Sequence, residues 1–156
     1  MGIAITLKEY LTSHQLNYEV IDHSRTKSTL ESAEAAHIPG DQMVKTILLG
    51  DDDSYLMAVI PATHRLEIDR LGHLLGRDLK LMAEDEVVDA FADCEPGSIP
   101  PLGAAYGMDV VIDISLIQQS EIYFESGDHG ELIHMRRREF SDLMGDAPAY
   151  RISYHL

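Results

Sequence analysis

The segment Val44-Lys45-Thr46-Ile47-Leu48-Leu49 is apolar on both faces of an extended strand, apart from one cation. Alternate side chains of a strand share a face, so Lys45 lies on the same side as Ile47 and Leu49. A buried ammonium without a partner is costly, and its pKa falls. Lys45 therefore either reaches water at the end of a buried strand or faces a pocket that receives an anion.

A second segment, Gly97-Ser98-Ile99-Pro100-Pro101-Leu102-Gly103, is too rich in glycine and proline to continue a helix or a central strand. Proline stiffens such a loop, and glycine gives it access to unusual backbone dihedral angles. The loop can therefore aim the N–H groups of Ser98 and Ile99 at a ligand oxygen, as an oxyanion site requires. An ordinary connecting turn is the alternative interpretation.

The third segment, Gly127-Asp128-His129-Gly130, separates two strand-like runs, residues 121–125 and 131–135. Its composition is typical of a hairpin turn, in which His129 would be exposed. The other interpretation places His129 at a functional site. There its imidazole, which titrates near neutral pH in water, could act as a base or hold a substrate.

The length and composition predict one domain that spans residues 1–156. The sequence has no apolar run near the ~20 residues of a membrane span and no basic and apolar export signal at its start. Cys94 is the only cysteine, so it cannot form an internal disulfide, which is compatible with a reducing compartment. These features predict a cytoplasmic protein that does not associate with a membrane.

Hydrophobic periodicity and turn residues predict an α/β fold with a mixed, largely antiparallel sheet. Thr6 is the expected N-cap of the first helix, and Gly76 is the expected C-cap of the third. The helices are predicted at residues 7–15, 29–37, 68–75, 85–92 and 138–144, and the strands at 18–22, 43–49, 55–60, 79–82, 109–114, 121–125, 131–135 and 150–154.

In their order and spacing, these motifs resemble the YbaK/prolyl-tRNA-synthetase-associated family of aminoacyl-tRNA deacylases. The resemblance covers nearly the whole chain and includes the Gly-x-x-x-Pro loop of that family. It rests on Tyr18-Glu19-Val20-Ile21-Asp22-His23, Ser28-Thr29, Val44-Lys45-Thr46, Gly97-Ser98-Ile99-Pro100-Pro101 and Gly127-x-His129.

The resemblance implies a curved, barrel-like mixed sheet flanked by helices. It also implies hydrolysis, in trans, of the ester of a mischarged tRNA, with alanine or cysteine on tRNA for proline as the first substrate candidates. The partners would be the acceptor end of the aminoacyl-tRNA and an aminoacyl-tRNA synthetase. No cofactor and no metal are expected.

The resemblance further implies roles for individual residues. Lys45 would contact the phosphate or ribose of the terminal adenosine, and the loop around Gly97 and Ser98 would supply backbone donors. His129 would orient water or hold the substrate, although attack assisted by the neighbouring ribose hydroxyl is equally consistent with the family. The substrate-binding residues would be His23, Ser28, Ile99, Pro100, Pro101 and Gly127.

The charge of the chain limits how it can meet a nucleic acid. Lys and Arg total 12 against 27 Asp and Glu, a formal net charge of −15. Binding to a phosphate backbone depends on cationic side chains, so we do not expect contacts along a long stretch of tRNA. Contact with the terminal nucleotide of a tRNA remains compatible with this charge. The arginines at 65, 70, 77 and 136–138 are either solvated surface or short contacts to tRNA.

Two other functions are compatible with the same residues. A non-catalytic module that binds an aminoacyl or nucleotide end would suit the acidic surface, and a hydrolase of another small ester or thioester would need the same pocket.

Covalent catalysis through Cys94 or Ser98 is not expected. Cys94 has no neighbour in sequence that would lower its pKa, and Ser98 lacks the Gly-x-Ser-x-Gly elbow.

Overall fold

A computed structural model describes residues 3–26 and 28–156 of the chain. The helices are α1 (Ile5–Ser13), α2 (Thr29–Ala35), α3 (Ile68–Leu75), α4 (Glu84–Ala90) and α5 (Arg137–Met144). The strands are β1 (Glu19–Asp22), β2 (Val44–Gly50), β3 (Tyr55–Pro61), β4 (His64–Leu66), β5 (Lys80–Leu81), β6 (Asp109–Asp113), β7 (Glu121–Glu125), β8 (Glu131–Arg136), β9 (Ala149–Tyr150) and β10 (Ser153–His155). None of the helices in this part of the chain is long and apolar enough to cross a bilayer.

The central sheet has the order β5-β2-β3-β6-β9 and is built around the antiparallel pair of β2 and β3. Val44 and Leu48 of β2 point into the larger core cluster, together with Met57 of β3. Leu49 and its neighbours on the opposite face pack in a second cluster with Leu71 of α3. The prediction that this strand is apolar on both faces is therefore confirmed.

Two smaller sheets flank the central one, with orders β1-β8-β7 and β10-β4. A parallel bridge between Met43 and Tyr123 connects the start of β2 to β7. Among the described strands, the β3–β6 and β6–β9 pairs are parallel and the others are antiparallel. This confirms the mixed, largely antiparallel α/β fold, although the sheets do not close into a barrel.

Helix α1 begins earlier than predicted because its first turn is capped from a distance. The N-cap position is Ala4, without a side-chain hydrogen bond, and Thr6 lies inside the helix. The Thr6 N–H instead donates to Asp93 Oδ2 at 2.8 Å, and the Ala4 N–H donates to the Ser126 carbonyl at 2.9 Å. A carboxylate at a helix N-terminus satisfies a free N–H and interacts favourably with the helix dipole.

The strand predicted at residues 150–154 is divided between two sheets, as β9 and β10. Asp113, at the end of β6, causes the division because its Oδ1 accepts the N–H groups of Ile152 at 2.9 Å and Ser153 at 3.0 Å. Burial opposes ionisation of Asp113, but hydrogen bonds from Ser115, Ile152 and Ser153 outweigh burial and lower its pKa. The Asp113 side chain thus replaces a neighbouring strand as the acceptor for these two N–H groups.

We expect Asp113→Ala to lower the free energy of unfolding by about 3 kcal/mol, because it leaves buried backbone N–H groups without an acceptor. Urea denaturation at neutral pH measures this loss. Asp109→Asn, on the exposed part of the same strand, is the control and should change stability by less than about 0.5 kcal/mol. Equal effects of the two substitutions would contradict the role assigned to Asp113.

Candidate functional site

The segment 95–102, here called the Gly/Pro loop, is docked on the β7–β8 connection, residues 126–130. The docking begins with a backbone hydrogen bond from the Glu95 N–H to the Gly127 carbonyl at 2.8 Å. Gly127 has a φ of 97°, and a Cβ on it would stand 2.7 Å from the Ala4 side chain. This position therefore requires glycine, both for its dihedral angle and for its contact with the start of α1.

His129 makes the second contact between the two segments. Its Nε2 lies 2.5 Å from the Pro96 carbonyl oxygen. A carbonyl can only accept, so Nε2 carries the hydrogen and Nδ1 is left as the acceptor of the neutral ring. His129 is only 8% exposed, and its Nδ1 is buried without a partner among the described residues. The hairpin predicted for this segment is present, but its histidine is buried rather than exposed.

Ser98 makes the third contact through its side chain, whose Oγ donates to Glu125 Oε2 at 3.2 Å. The Ser98 N–H donates to the Glu95 carbonyl at 3.1 Å. Contrary to the prediction, it is therefore not free to bind a ligand oxygen. No hydrogen bond within residues 3–26 and 28–156 occupies the N–H of Gly97 or Ile99. The two prolines that follow carry no N–H, so Gly97 and Ile99 supply the free donors of this turn.

Glu125 is a buried carboxyl group that no sequence motif indicates. It is 2% exposed at the end of β7, and burial raises its pKa to about 7. The hydroxyls of Ser32 and Ser98 oppose this rise, and the Asp128 carboxylate adds to it. The signal in the sequence is weak, since a glutamate at the end of a strand usually reaches water.

The segment before α2 packs against the same connection. The His23 N–H donates to the Gly130 carbonyl at 2.9 Å, and the Thr26 N–H contacts the His129 carbonyl at 3.4 Å. His23 Nδ1 lies 2.7 Å from the Ser24 carbonyl, and its Nε2 is buried without a partner among the described residues. His23 and His129 are thus fixed in the same way, each with one nitrogen on a carbonyl and the other unpaired.

Ser28 caps α2, because its Oγ accepts the Glu31 N–H at 3.2 Å. Arg25, in the same segment, forms an ion pair with Glu95 at 2.6 Å. These contacts tie the approach to α2 to the first residue of the Gly/Pro loop. Ser28 therefore has a structural function that is independent of any substrate.

Lys45 lies on β2, and its Nζ donates to the His64 carbonyl of β4 at 3.1 Å. Burial lowers the pKa of Lys45, and the Arg65 guanidinium lowers it further. No carboxylate among the described residues forms an ion pair with Lys45. The other predicted site residues lie on the Gly/Pro loop, the β7–β8 connection and the approach to α2, which contact one another. The hydrogen bond of Lys45, by contrast, is made to β4.

Cys94 is not equipped as a nucleophile. Burial raises the pKa of its thiol to about 11, against the effect of the Tyr106 hydroxyl 3.5 Å away. The thiolate fraction at neutral pH is therefore small. Within residues 3–26 and 28–156, no three His, Cys, Asp or Glu side chains are grouped as metal ligands.

Several of the arginines considered as tRNA contacts serve the fold instead. Arg77 pairs with Asp51 at 2.7 Å, and Arg70 donates to the Arg151 carbonyl at 2.8 Å. Arg137 donates to the carbonyls of Gln118 and Gln119 at 2.6 and 2.9 Å. These contacts support the surface interpretation of the arginines over a tRNA track.

The family model of the aminoacyl-tRNA editing domain matches residues 23–143, a span that includes all of the segments just described. The chain belongs to this family. The resemblance drawn from the sequence motifs is thereby confirmed.

Among its relatives are proline–tRNA ligases. The ligase of Desulfitobacterium hafniense is 28% identical over 100 residues, which cover 64% of this chain and 17% of the ligase. That of Trichlorobacter lovleyi is 31% identical over 96 residues, covering 60% and 17%, and that of Geobacter metallireducens is 26% identical over 118 residues, covering 76% and 20%. The chain thus spans a fifth or less of the length of these ligases.

Solved structures share the fold over nearly their whole length. A candidate trans-editing enzyme for prolyl tRNA synthetase superposes with a TM-score of 0.82 at 19% identity, over 98% of this chain and 99% of that one. The hypothetical protein APE2540 superposes with a TM-score of 0.83 at 24% identity, over 96% and 99%. At these identities, the similarity establishes the fold.

Glu125 gives a testable dependence of stability on pH. Because its pKa is raised in the folded state, the folded protein holds a proton that the unfolded chain releases, and stability falls as pH rises from about 4.5 to about 7. We expect Glu125→Gln to remove this loss, which amounts to roughly 3 kcal/mol at most. Urea denaturation of both proteins at pH 5 and pH 8 measures the difference.

Glu34→Gln on the exposed side of α2 is the control, since it removes one negative charge from the same acidic chain without touching a buried group. The control should leave the pH dependence of the wild type in place. A gain in stability from Glu125→Gln that is equal at both pH values would contradict the raised pKa.

Proposed function

We propose that the protein is an aminoacyl-tRNA deacylase that acts in trans on mischarged tRNA, with alanine or cysteine on tRNA for proline as its substrates. The observation that carries the proposal is the docking of the Gly/Pro loop on the β7–β8 connection. It leaves the Ile99 N–H and His129 Nδ1 without hydrogen-bond partners among the described residues, on the two segments that the docking joins. Membership of the editing family and the fold shared with a free-standing candidate trans-editing enzyme support it.

The proposed reaction needs a donor for the ester carbonyl and an acceptor for a proton. The N–H groups of Gly97 and Ile99 would stabilise the oxyanion that forms when water attacks the carbonyl carbon. The C–O bond to the ribose then breaks, and the ribose oxygen leaves with a proton as a hydroxyl. His129 Nδ1 would accept a hydrogen bond from the attacking water, or from the neighbouring ribose hydroxyl where that group assists the attack.

The remaining predicted residues would shape the pocket. His23 would offer its unpaired Nε2 to the substrate, and Gly127 and Ser28 would hold the segments on either side in place. Ile99, Pro100 and Pro101 would limit the size of the amino acid. Lys45, which has no carboxylate partner among the described residues, would bind the phosphate or ribose of the terminal adenosine.

A non-catalytic module that binds an aminoacyl end, as an accessory of a synthetase, is the second candidate. The formal net charge of −15 favours it, because an enzyme that acts on free tRNA has to approach a polyanion. Such a module would bind aminoacyl-adenosine but would not accelerate hydrolysis of the ester.

The first test is deacylation of a panel of mischarged tRNAs, which includes Ala-tRNA and Cys-tRNA for proline. We expect turnover of one or two esters and, in Lys45→Ala, a loss of at least about tenfold in kcat/KM through weaker binding. Arg70→Ala is the control, because it removes one cation from an exposed position on α3 that bonds to the Arg151 carbonyl. Absence of turnover with retained binding of aminoacyl-adenosine would favour the accessory module.

His129→Ala separates the two routes for the proton. If His129 positions the water, kcat should fall about 100-fold or more, as for other acid–base groups. If the ribose hydroxyl assists the attack, a tRNA whose terminal adenosine lacks that hydroxyl should lose the activity instead. Wild-type rates for both the variant and the modified tRNA would contradict the site as described.

The dependence on salt tests the size of the tRNA contact. With Lys45 as the main phosphate ligand, we expect log kcat/KM to fall with log salt concentration with a slope of about −1. The slope should approach zero in Lys45→Ala. A steep slope that Lys45→Ala leaves unchanged would point to a larger basic surface. A slope near zero in the wild type would favour a small ester as the substrate.

A further inference from the structure

Glu125 is a buried ionisable group whose presence the fold does not explain. It ends β7 opposite Leu132 of β8, and it is 2% exposed. A buried carboxyl of this kind opposes folding when it is ionised, and an apolar side chain of similar volume is commonly tolerated as well or better. Groups that cost stability are frequently retained for function.

The contacts of Glu125 connect it to the proposed oxyanion donors. Its Oε2 accepts the Ser98 hydroxyl at 3.2 Å, and its Oε1 is buried without a partner among the described residues. Ser98 lies between Gly97 and Ile99, whose N–H groups are the free donors of the loop. The hydrogen bond of the Ser98 side chain therefore bears on the Ser98–Ile99 peptide unit, which carries the Ile99 N–H, whereas the Gly97 N–H belongs to the Pro96–Gly97 unit.

The surroundings of Glu125 make its charge sensitive to pH. Asp128 on the β7–β8 connection faces it with a negative charge, and His129 is the other titratable side chain of that connection. Helix α2 presents the Ser32 hydroxyl, whose Oγ lies 2.6 Å from Thr26 Oγ1. The Gly/Pro loop presents Ser98, and β8 presents the apolar side chain of Leu132. None of these groups is a lysine or an arginine that would offset the charge of Glu125.

We propose that Glu125 is a positioning residue of the deacylation, which holds Ser98 so that the Ile99 N–H meets the substrate carbonyl. The inference rests on the function proposed above and assigns to that site a residue that touches no reacting atom. The ionised carboxylate accepts a hydrogen bond more strongly than the protonated form. The loop is thus held more firmly once Glu125 has lost its proton, which its burial places near neutral pH.

The test compares kcat/KM of the wild type and Glu125→Gln between pH 5.5 and pH 8.5. Glutamine keeps the shape and the acceptor oxygen but cannot ionise, so it reproduces the protonated state. We expect equal values at pH 5.5 and an advantage of about tenfold for the wild type at pH 8.5, with a midpoint near 7. A ratio that does not change with pH would overturn the proposal.

Two further variants distinguish positioning from support of the fold. Glu125→Met should be at least as stable as the wild type at pH 8 and still lose activity at least as far as Glu125→Gln does. Ser98→Ala should lose a similar factor, and the double variant should lose no more than either single one, because both remove the same contact. Full activity of Glu125→Met, or additive losses in the double variant, would contradict the proposal.

Amide hydrogen exchange at Glu95 and Ser98, whose N–H groups donate to the Gly127 and Glu95 carbonyls, followed by NMR without substrate, provides a readout that does not depend on turnover. We expect faster exchange in Glu125→Met than in the wild type, relative to the control amide of Leu71 in α3. If the wild type deacylates no tRNA, the proposed function fails, whereas this comparison still decides whether Glu125 positions the loop. Unchanged exchange at both amides would overturn the positioning role.

Discussion

The structure of the site depends on the docking of the Gly/Pro loop on the β7–β8 connection. A backbone bond to Gly127, the His129 contact to the Pro96 carbonyl and the Ser98 contact to Glu125 form this interface. Buried polar groups are usually hydrogen-bonded, and these contacts pair the Glu95 N–H, His129 Nε2 and the Ser98 hydroxyl. The polar atoms that these contacts leave unpaired, the Ile99 N–H and His129 Nδ1, lie on the two segments that the contacts join.

The sequence predicts the fold well where the periodicity is regular and fails where a side chain from a distant element intervenes. The apolar run of β2 and the glycine after α3 were sufficient to predict their structure. The start of α1 was wrong because Asp93 caps it from another connection, and the last strand was wrong because Asp113 divides it. Such contacts join residues far apart in the chain, which local propensity does not detect.

The same contrast between local patterns and distant contacts holds for the candidate site. The glycines, prolines and His129 of the loops could be found from their spacing, because backbone requirements leave a signature in the sequence. Glu125 could not, since only the packing of α2 and the Gly/Pro loop converts a strand-end glutamate into a buried carboxyl. The site is assembled from short polar contacts and carries few cations, which is consistent with recognition of the aminoacyl end rather than of a long stretch of tRNA.

The most direct measurement is a crystal structure with an aminoacyl-adenosine analogue in which an amide replaces the ester. We expect that the analogue's aminoacyl carbonyl accepts the Ile99 N–H, that the adenosine lies toward Lys45, and that the Gly/Pro loop remains docked on Gly127 and His129. An analogue bound away from the loop, or a loop that leaves the β7–β8 connection to admit it, would contradict the proposed site.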